Sequence, residues 1–336
     1  MRGFKVAVLI PCFNEAVSIA KVVADFQKVL PDASIYVYDN NSSDGTADKA
    51  RNAGAITRHE THQGKGHVVR RMFRDIEADY YIMVDGDDTY AAATAPAMLH
   101  LAIDGLYDLV NAVRVAPGNK AAYRTGHRLG NKLLTGLVLR LFGDQIQDML
   151  SGYKVFSRRF VKSFPILSQG FDIETELTIH ALELEMPVAN LASPYKERPP
   201  GSESKLRTYR DGFRILIMIM ILLKHERPLQ LFLGSGVVLI LTSLFLGLPV
   251  VVGYFATGLV PRFPTAFLAM GVMLIAFLSI TTGIILDGVT RGRKEMRLLA
   301  YLHATGVRSP DFDVSTRMLV TDNTPAISTR PMSGNP

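Results

Sequence analysis

The stretch YYIMVDGDDTY, residues 80–90, breaks off an apolar and aromatic run at Asp85, Gly86, Asp87 and Asp88. Carboxylates packed this closely repel unless a cation sits among them. Asp85 and Asp87, flanking one glycine at a strand end, suit a hard divalent cation, Mg²⁺ or Mn²⁺. Such an ion keeps several waters and gathers diphosphate oxygens. Gly86 is expected to let the chain turn tightly between them. D-x-D alone also describes a solvated acidic turn.

Other polar residues close apolar runs in the same way. IPCFNE contributes Pro11, Asn14 and Glu15, and VYDNNSSDGT contributes Asp39, Asn41, Ser42 and Asp44. Asp39 can accept hydrogen bonds from the edge of a base, and Glu15 can bind ribose hydroxyls. Ser43 or Asp44 can equally cap a helix. In HQGKGHVVR, Gly64, Lys65 and Gly66 open a helix whose first amides, with the lysine, can face an anion; a flexible loop is the alternative. Arg124 and Arg128 stand four residues apart, on one face of an expected helix. Ser202, Ser204 and Lys205 gather just before an apolar segment, and Arg114 and Arg198 are further cations.

The elements that must position these residues follow from hydrophobic periodicity. FKVAVLIP, SIYVYD, GAITRH and YYIMVD read as strands, and EAVSIAKVVADFQKVL, DGTADKARNAG and GKGHVVRRMFRDIE as helices. Alternating β and α elements imply an α/β fold, a mainly parallel sheet with helices on both faces. Ligands gather at the carboxyl ends of such strands, where Asp39 and Asp85 sit.

The chain has 336 residues, room for one large domain or two smaller ones. Its net charge of +6 is modest and clustered, and no nucleic-acid recognition motif accompanies it. The single cysteine, Cys12, excludes an intramolecular disulfide and fits a reducing setting. The N-terminal MRGFKVAVLIPCFNE reads as a first strand, since its apolar run is too short for a signal-peptide core.

Residues 231–257 and 263–286 are almost free of charge and long enough to span a membrane. Lys224 and Arg227 precede the first, and Arg291, Arg293, Lys294 and Arg297 follow the second. Positive-inside counting places the N-terminal domain and both termini in the cytoplasm, with the spans in the inner (cytoplasmic) membrane. Residues 206–228, arginine-rich then apolar, are expected to lie in the membrane interface; a soluble amphipathic helix is the alternative. The GSG at 234–236 can support packing between spans or between subunits of an oligomer. After Gly306 the chain is polar and reads as largely disordered. The division is thus 1–205 catalytic, 206–228 interfacial, 229–290 transmembrane and 291–336 a partly disordered tail.

Together the motifs resemble family 2 glycosyltransferases with the GT-A fold, a Rossmann-like sheet. That family opens with P-x-x-N-E, here Pro11, Asn14 and Glu15. It continues with a strand ending like DNNSSDGT, a G-K-G segment, and D-x-D at Asp85 and Asp87. The resemblance covers roughly residues 4–205. QDMLSGYKVFSRR and ERPPGSESKL are similar to segments of the polyprenyl-phosphate glycosyltransferases, the dolichyl-phosphate mannose synthase group. Q-x-x-R-W, which marks processive synthases, is absent, and the chain has no tryptophan.

The resemblance implies inverting transfer of one sugar from a nucleotide-sugar, UDP before GDP, to a polyprenyl phosphate at the bilayer. It implies that Pro11, Asn14, Glu15, Asp39, Asn41, Ser42, Asp44, Lys65, Asp85 and Gly86 hold the nucleotide. Asp85 and Asp87 would hold Mg²⁺ or Mn²⁺. Arg124, Arg128, Ser202, Ser204 and Lys205 would meet the acceptor phosphate. Asp148 is marked as a candidate catalytic base; holding a sugar hydroxyl or orienting an arginine is the alternative. Asp172, Glu174 and Glu176 border the sugar site in this family. They alternate at i+2, so a helix cannot point all three one way; Glu174 is assigned function with Asp148, and Glu176 a structural role. Other readings are transfer to another lipid, such as diacylglycerol, and a non-catalytic scaffold that binds nucleotide-sugars.

Overall fold

The computed structural model describes residues 3–115, 146–165, 173–196 and 227–304. Among them, β1 (Val6–Cys12), α1 (Ile19–Val29), β2 (Ser34–Asp39), α2 (Thr46–Asn52), β3 (Ile56–His59), α3 (Lys65–Asp75) and β4 (Tyr80–Met83) alternate as the periodicity predicts. α4 (Ala95–Asp104), β5 (Leu109–Val115), β6 (Lys154–Ser157), α5 (Arg158–Ser163), α6 (Ile173–Glu183) and β7 (Val188–Pro194) follow. The sheet order is β3-β2-β1-β4-β6-β5-β7. Only β6 runs antiparallel to its neighbours, so the sheet is mainly parallel, as expected.

The alternation along each strand sorts its side chains onto two faces. Leu9, Tyr81 and Met83 join α3, α5 and α6 in one core layer, with Val69, Met72, Phe160 and Leu177. Val8, Ile10 and Ile82 join α1 and α4 in the other, with Ile19, Phe26, Met98 and Leu99. A strand covered on both faces is apolar at nearly every position, which is why VAVLIPC carries no alternation. The parallel register sets Cys12 beside Asp39, so β1 and β2 end together, and Leu9 beside Met83, so the chain leaves β4 three residues before the end of β1.

Two helices, α7 (Pro228–Thr257) and α8 (Phe263–His303), are long and apolar enough to cross a membrane. Their apolar side chains, among them Phe245, Phe255, Phe267 and Leu274, are exposed, unlike those of a buried core helix. The pair closes on small residues. A Cβ on Gly236 would lie 2.6 Å from Ile280, and Ser243 donates to the Ala269 carbonyl at 2.7 Å. Gly236 thus packs against the other span, whereas Gly234 faces open space. Of the expected interfacial helix, residues 206–226 lie outside the described residues, and Pro228 already begins α7.

α8 runs past residue 290, where the apolar region was expected to end. α8 continues unbroken for 41 residues, about 60 Å, twice the thickness of a hydrocarbon core. Its last turns dock on the α/β domain: Arg297 pairs with the buried Glu183 at 2.5 Å, and Tyr301 donates to Asp108 at 2.6 Å. Arg159 bonds the same Asp108 and lies 5.0 Å over the Tyr301 ring. The basic run after the span reads as a membrane flank because these acidic partners lie more than a hundred residues away in sequence. Reversing one partner, Arg297→Glu, leaves a buried unpaired charge and is expected to cost about 3 kcal/mol or more. Thermal unfolding should show the loss, and Glu183→Arg in the same chain should restore part of it.

His180 on α6 is packed against Phe160 and Phe164, with Ser163 Oγ 3.2 Å from Nε2. Burial, helped by the charge of Arg297, pushes its pKa down to about 3. The folded protein therefore keeps this ring neutral while the unfolded chain protonates it below about 6.5. Its contribution is complete above about pH 6.5 and falls as the pH drops, by at most about 1.4 kcal/mol per unit. Unfolding measured from pH 7.5 to 5 should show a shallower loss for His180→Leu than for the wild type.

Candidate active site

The site lies where β1, β2 and β4 end. Its first two loops are laced together by the polar residues expected to bind nucleotide. Asn14 N–H donates to Ser42 Oγ at 2.8 Å, and Ser43 N–H donates to Asn14 Oδ1 at 2.9 Å. Asp44 accepts from the amides of Ala16 and Thr46 at 3.0 and 3.1 Å, and Glu15 N–H donates to Thr46 Oγ1 at 2.9 Å. α1 begins at Ile19, four residues after Glu15, where the stretch read as a helix opens. Asn14, Asn41 and Asp88 adopt left-handed φ of 52°, 64° and 58°. Short amide and carboxylate side chains tolerate that conformation better than others. Pro11 lies in β1, and Asn41 Nδ2 donates to the Thr61 carbonyl at 2.9 Å.

Asp39, at the end of β2, is buried. Its Oδ2 accepts from Ser42 N–H at 3.1 Å and lies 3.4 Å from His59 Nδ1, while its Oδ1 is buried without a partner. An orphaned acceptor of this kind is costly unless something completes it.

Among the described residues, the contacts given for the three carboxylates after β4 differ. Asp88 turns to Lys21 at 2.8 Å. Asp87, buried, accepts from Thr89 N–H and Oγ1 at 3.2 and 2.6 Å. Asp85 receives Lys65 Nζ at 2.5 Å, and the same ammonium pairs with Glu174. Burial alone would lower the Lys65 pKa, but Asp85 and Glu174 outweigh it and hold it well above the usual lysine range. Lys65 is the first residue of α3 and Glu174 lies in the first turn of α6, so two helix starts converge on Asp85.

The chain turns at Gly86 and Asp87 as expected, but the left-handed φ falls at Asp88 and not at the glycine. The glycine is needed because a Cβ there would lie 2.6 Å from Cys12 Sγ. Ser18 Oγ donates to the Gly86 carbonyl at 2.7 Å, tying α1 to this loop. Gly152 is constrained likewise, since its Cβ would overlap the Asp85 carboxylate. The loop is also pinned to the end of β7, where Tyr90 bridges Tyr195 and Lys196 N–H donates to the Thr89 carbonyl at 2.8 Å.

Asp148 is held by Arg114, whose Nε donates to Oδ2 at 2.6 Å and Nη2 to Oδ1 at 2.8 Å. This two-point pairing matches the arginine-orienting alternative. Arg114 also lies 5.5 Å over the Tyr195 ring. Next to the pair is a group that spacing did not reveal. The fully buried Lys154 donates to Asn111 Oδ1 at 2.5 Å, and Asn111 Nδ2 donates to the Asp148 carbonyl at 3.0 Å. Burial pushes the Lys154 pKa down to about 8. The only sequence signal was its place at the end of SGYK. Arg124, Arg128, Arg198, Ser202, Ser204 and Lys205 lie outside the described residues, as does Asp172; Glu176 is partly buried on α6.

Asp85 and Asp87 are hard oxygen ligands one residue apart, a set that fits Mg²⁺ or Mn²⁺. No group of three or more His, Cys, Asp or Glu side chains arranged for a metal occurs among the described residues. Two protein carboxylates, with the rest of the shell from diphosphate and water, is how such ions are commonly held.

Comparison with known proteins agrees with this architecture. The family profile Glycosyl transferase family 2 matches residues 7–164. Glycosyltransferase AglJ of Haloferax volcanii is 34% identical over 72% of this chain and 80% of its own. The dolichyl-phosphate hexose transferase of the same organism is 28% identical over 66% of this chain and 95% of its own. Among solved structures, Mycobacterium tuberculosis glucosyl-3-phosphoglycerate synthase with Mn²⁺, UDP and glucosyl-3-phosphoglycerate superimposes with a TM-score of 0.52. It is 20% identical and covers 65% of this chain and 80% of that one. The chain belongs to glycosyl transferase family 2 and is a glycosyltransferase.

Proposed function

We propose that the protein transfers a single sugar, with inversion, from a UDP-sugar to a polyprenyl phosphate at the cytoplasmic face of the inner membrane. The observation that carries the reading is the union, in one chain, of the Asp85–Asp87–Lys65 site with a hairpin of exposed apolar helices. A relative named for dolichyl-phosphate hexose transfer supports the acceptor, and a structural neighbour with UDP and Mn²⁺ supports the donor.

The residues divide the work by chemistry. Asp39 Oδ1, buried and unpartnered, accepts the N–H of uracil. Glu15 faces the ribose, and Lys65 serves the diphosphate. A divalent cation on Asp85 and Asp87 supplies neutralisation of charge on the departing nucleoside diphosphate. The acceptor is a phosphate monoester with a second pKa near ~6, already ionised at neutral pH. It needs no general base, which fits an Asp148 committed to Arg114. Arg114 then presents fixed positive charge where two anions must meet, with Arg124, Arg128, Ser202, Ser204 and Lys205 assigned to the acceptor phosphate. Glu174 positions Lys65 and borders the sugar. The polyprenyl chain stays in the bilayer, because withdrawing each CH₂ costs about 0.8 kcal/mol.

Asp39→Ala is expected to weaken UDP binding about tenfold or more, the worth of a hydrogen bond to a charged group, as read by calorimetry. The reading itself is tested by incubating the full-length protein with Mn²⁺, short-chain polyprenyl phosphate and a panel of UDP- and GDP-sugars. One donor should give one lipid adduct by mass spectrometry, lost on metal removal. No adduct from a folded protein that binds UDP would overturn it.

A further inference from the structure

The ammonium of Lys65 occupies the carboxylate that the metal is assigned to. It is nearly buried, bonded to Asp85 on one side and Glu174 on the other. Three further observations bear on what it does there. Asp85 is the most exposed of the three groups, so the incoming ligand reaches Asp85 first. Lys65 begins an eleven-residue helix whose leading amides favour an anion at the same place. Glu174 would still hold the lysine if Asp85 were given up.

We propose that Lys65 is an exchangeable counter-ion: without nucleotide it holds Asp85 against a divalent cation, and an arriving diphosphate draws it off Asp85, so metal and nucleotide load together. This inference rests on the reading of the site as one for a nucleoside diphosphate and its metal. The argument is electrostatic. A divalent cation alone must share Asp85 with an ammonium, and like charges at that spacing oppose each other. A diphosphate gives the ammonium a second anion within reach of its flexible four-carbon stem. Each ligand then strengthens the other, a coupling that is reciprocal by linkage. The arrangement keeps a bare metal from occupying the site and keeps Asp85 neutralised when the site is empty.

Mn²⁺ binding followed by electron paramagnetic resonance, with UDP binding by calorimetry, tests this on the full-length protein. In the wild type, UDP should tighten Mn²⁺ binding tenfold or more. Lys65→Met should bind Mn²⁺ without UDP about tenfold tighter than the wild type, bind UDP more weakly, and show little coupling. A merely structural role would not move the two affinities in opposite directions. Wild-type protein that binds Mn²⁺ equally well with and without UDP would overturn the inference, a result that needs no variant to fold. So would Lys65→Met binding Mn²⁺ alone no tighter than the wild type while still binding UDP with Mn²⁺. Wild-type protein that binds neither ligand, even when both are present, would instead overturn the functional reading beneath it.

Discussion

Asp87→Asn is expected to lower kcat/KM for sugar transfer by about 100-fold or more while leaving the fold intact. The amide oxygen of Asn can still accept from Thr89 N–H and Oγ1, the two contacts that shape the loop. What the change removes is charge, in a buried position at the proposed metal. Metal stabilisation of a leaving diphosphate is worth several kcal/mol, and each 1.36 kcal/mol is a factor of ten in rate. Steady-state rates with saturating polyprenyl phosphate, beside circular dichroism of the variant, separate lost chemistry from lost structure. A variant with near wild-type rates would remove Asp87 from the metal site.

Asp148→Ala and Arg114→Ala are each expected to lower kcat/KM about 10- to 100-fold, and the double variant should be little worse than the poorer single one. Removing either partner takes away the two-point pairing that fixes the other in place. Residues that act as one unit lose their effect together. A base that removes a proton predicts otherwise, since Asp148→Ala would then exceed Arg114→Ala and the two losses would multiply. The double-variant cycle decides between a carboxylate that orients Arg114 and one that does chemistry.

Strand ends were legible in the sequence because each core strand is a short apolar run stopped by turn-forming polar residues. That alone places Asp39 and Asp85 at one edge of the sheet. The cation at Asp85 was not legible. Glu174 reaches Lys65 across 109 positions, and Asp148 reaches Arg114 across 34. No local period reports such pairs. Gly86 was read through backbone freedom, whereas the constraint is the sulfur of Cys12 in the neighbouring strand. The extension of α8 was hidden for a similar reason: Arg297 reads as a membrane flank until Glu183 is seen beside it, and nothing local ties Tyr301 to Asp108.

The central claim is that one sugar passes to a polyprenyl phosphate. It is tested most directly by offering the full-length protein, in liposomes with UDP-sugars and Mn²⁺, polyprenyl phosphate and diacylglycerol in equal amounts. Mass spectrometry of the extracted lipids should show polyprenyl phosphate heavier by a single sugar, with diacylglycerol unchanged. Sugar on diacylglycerol, or polyprenyl phosphate carrying a growing series of sugars, would contradict the account.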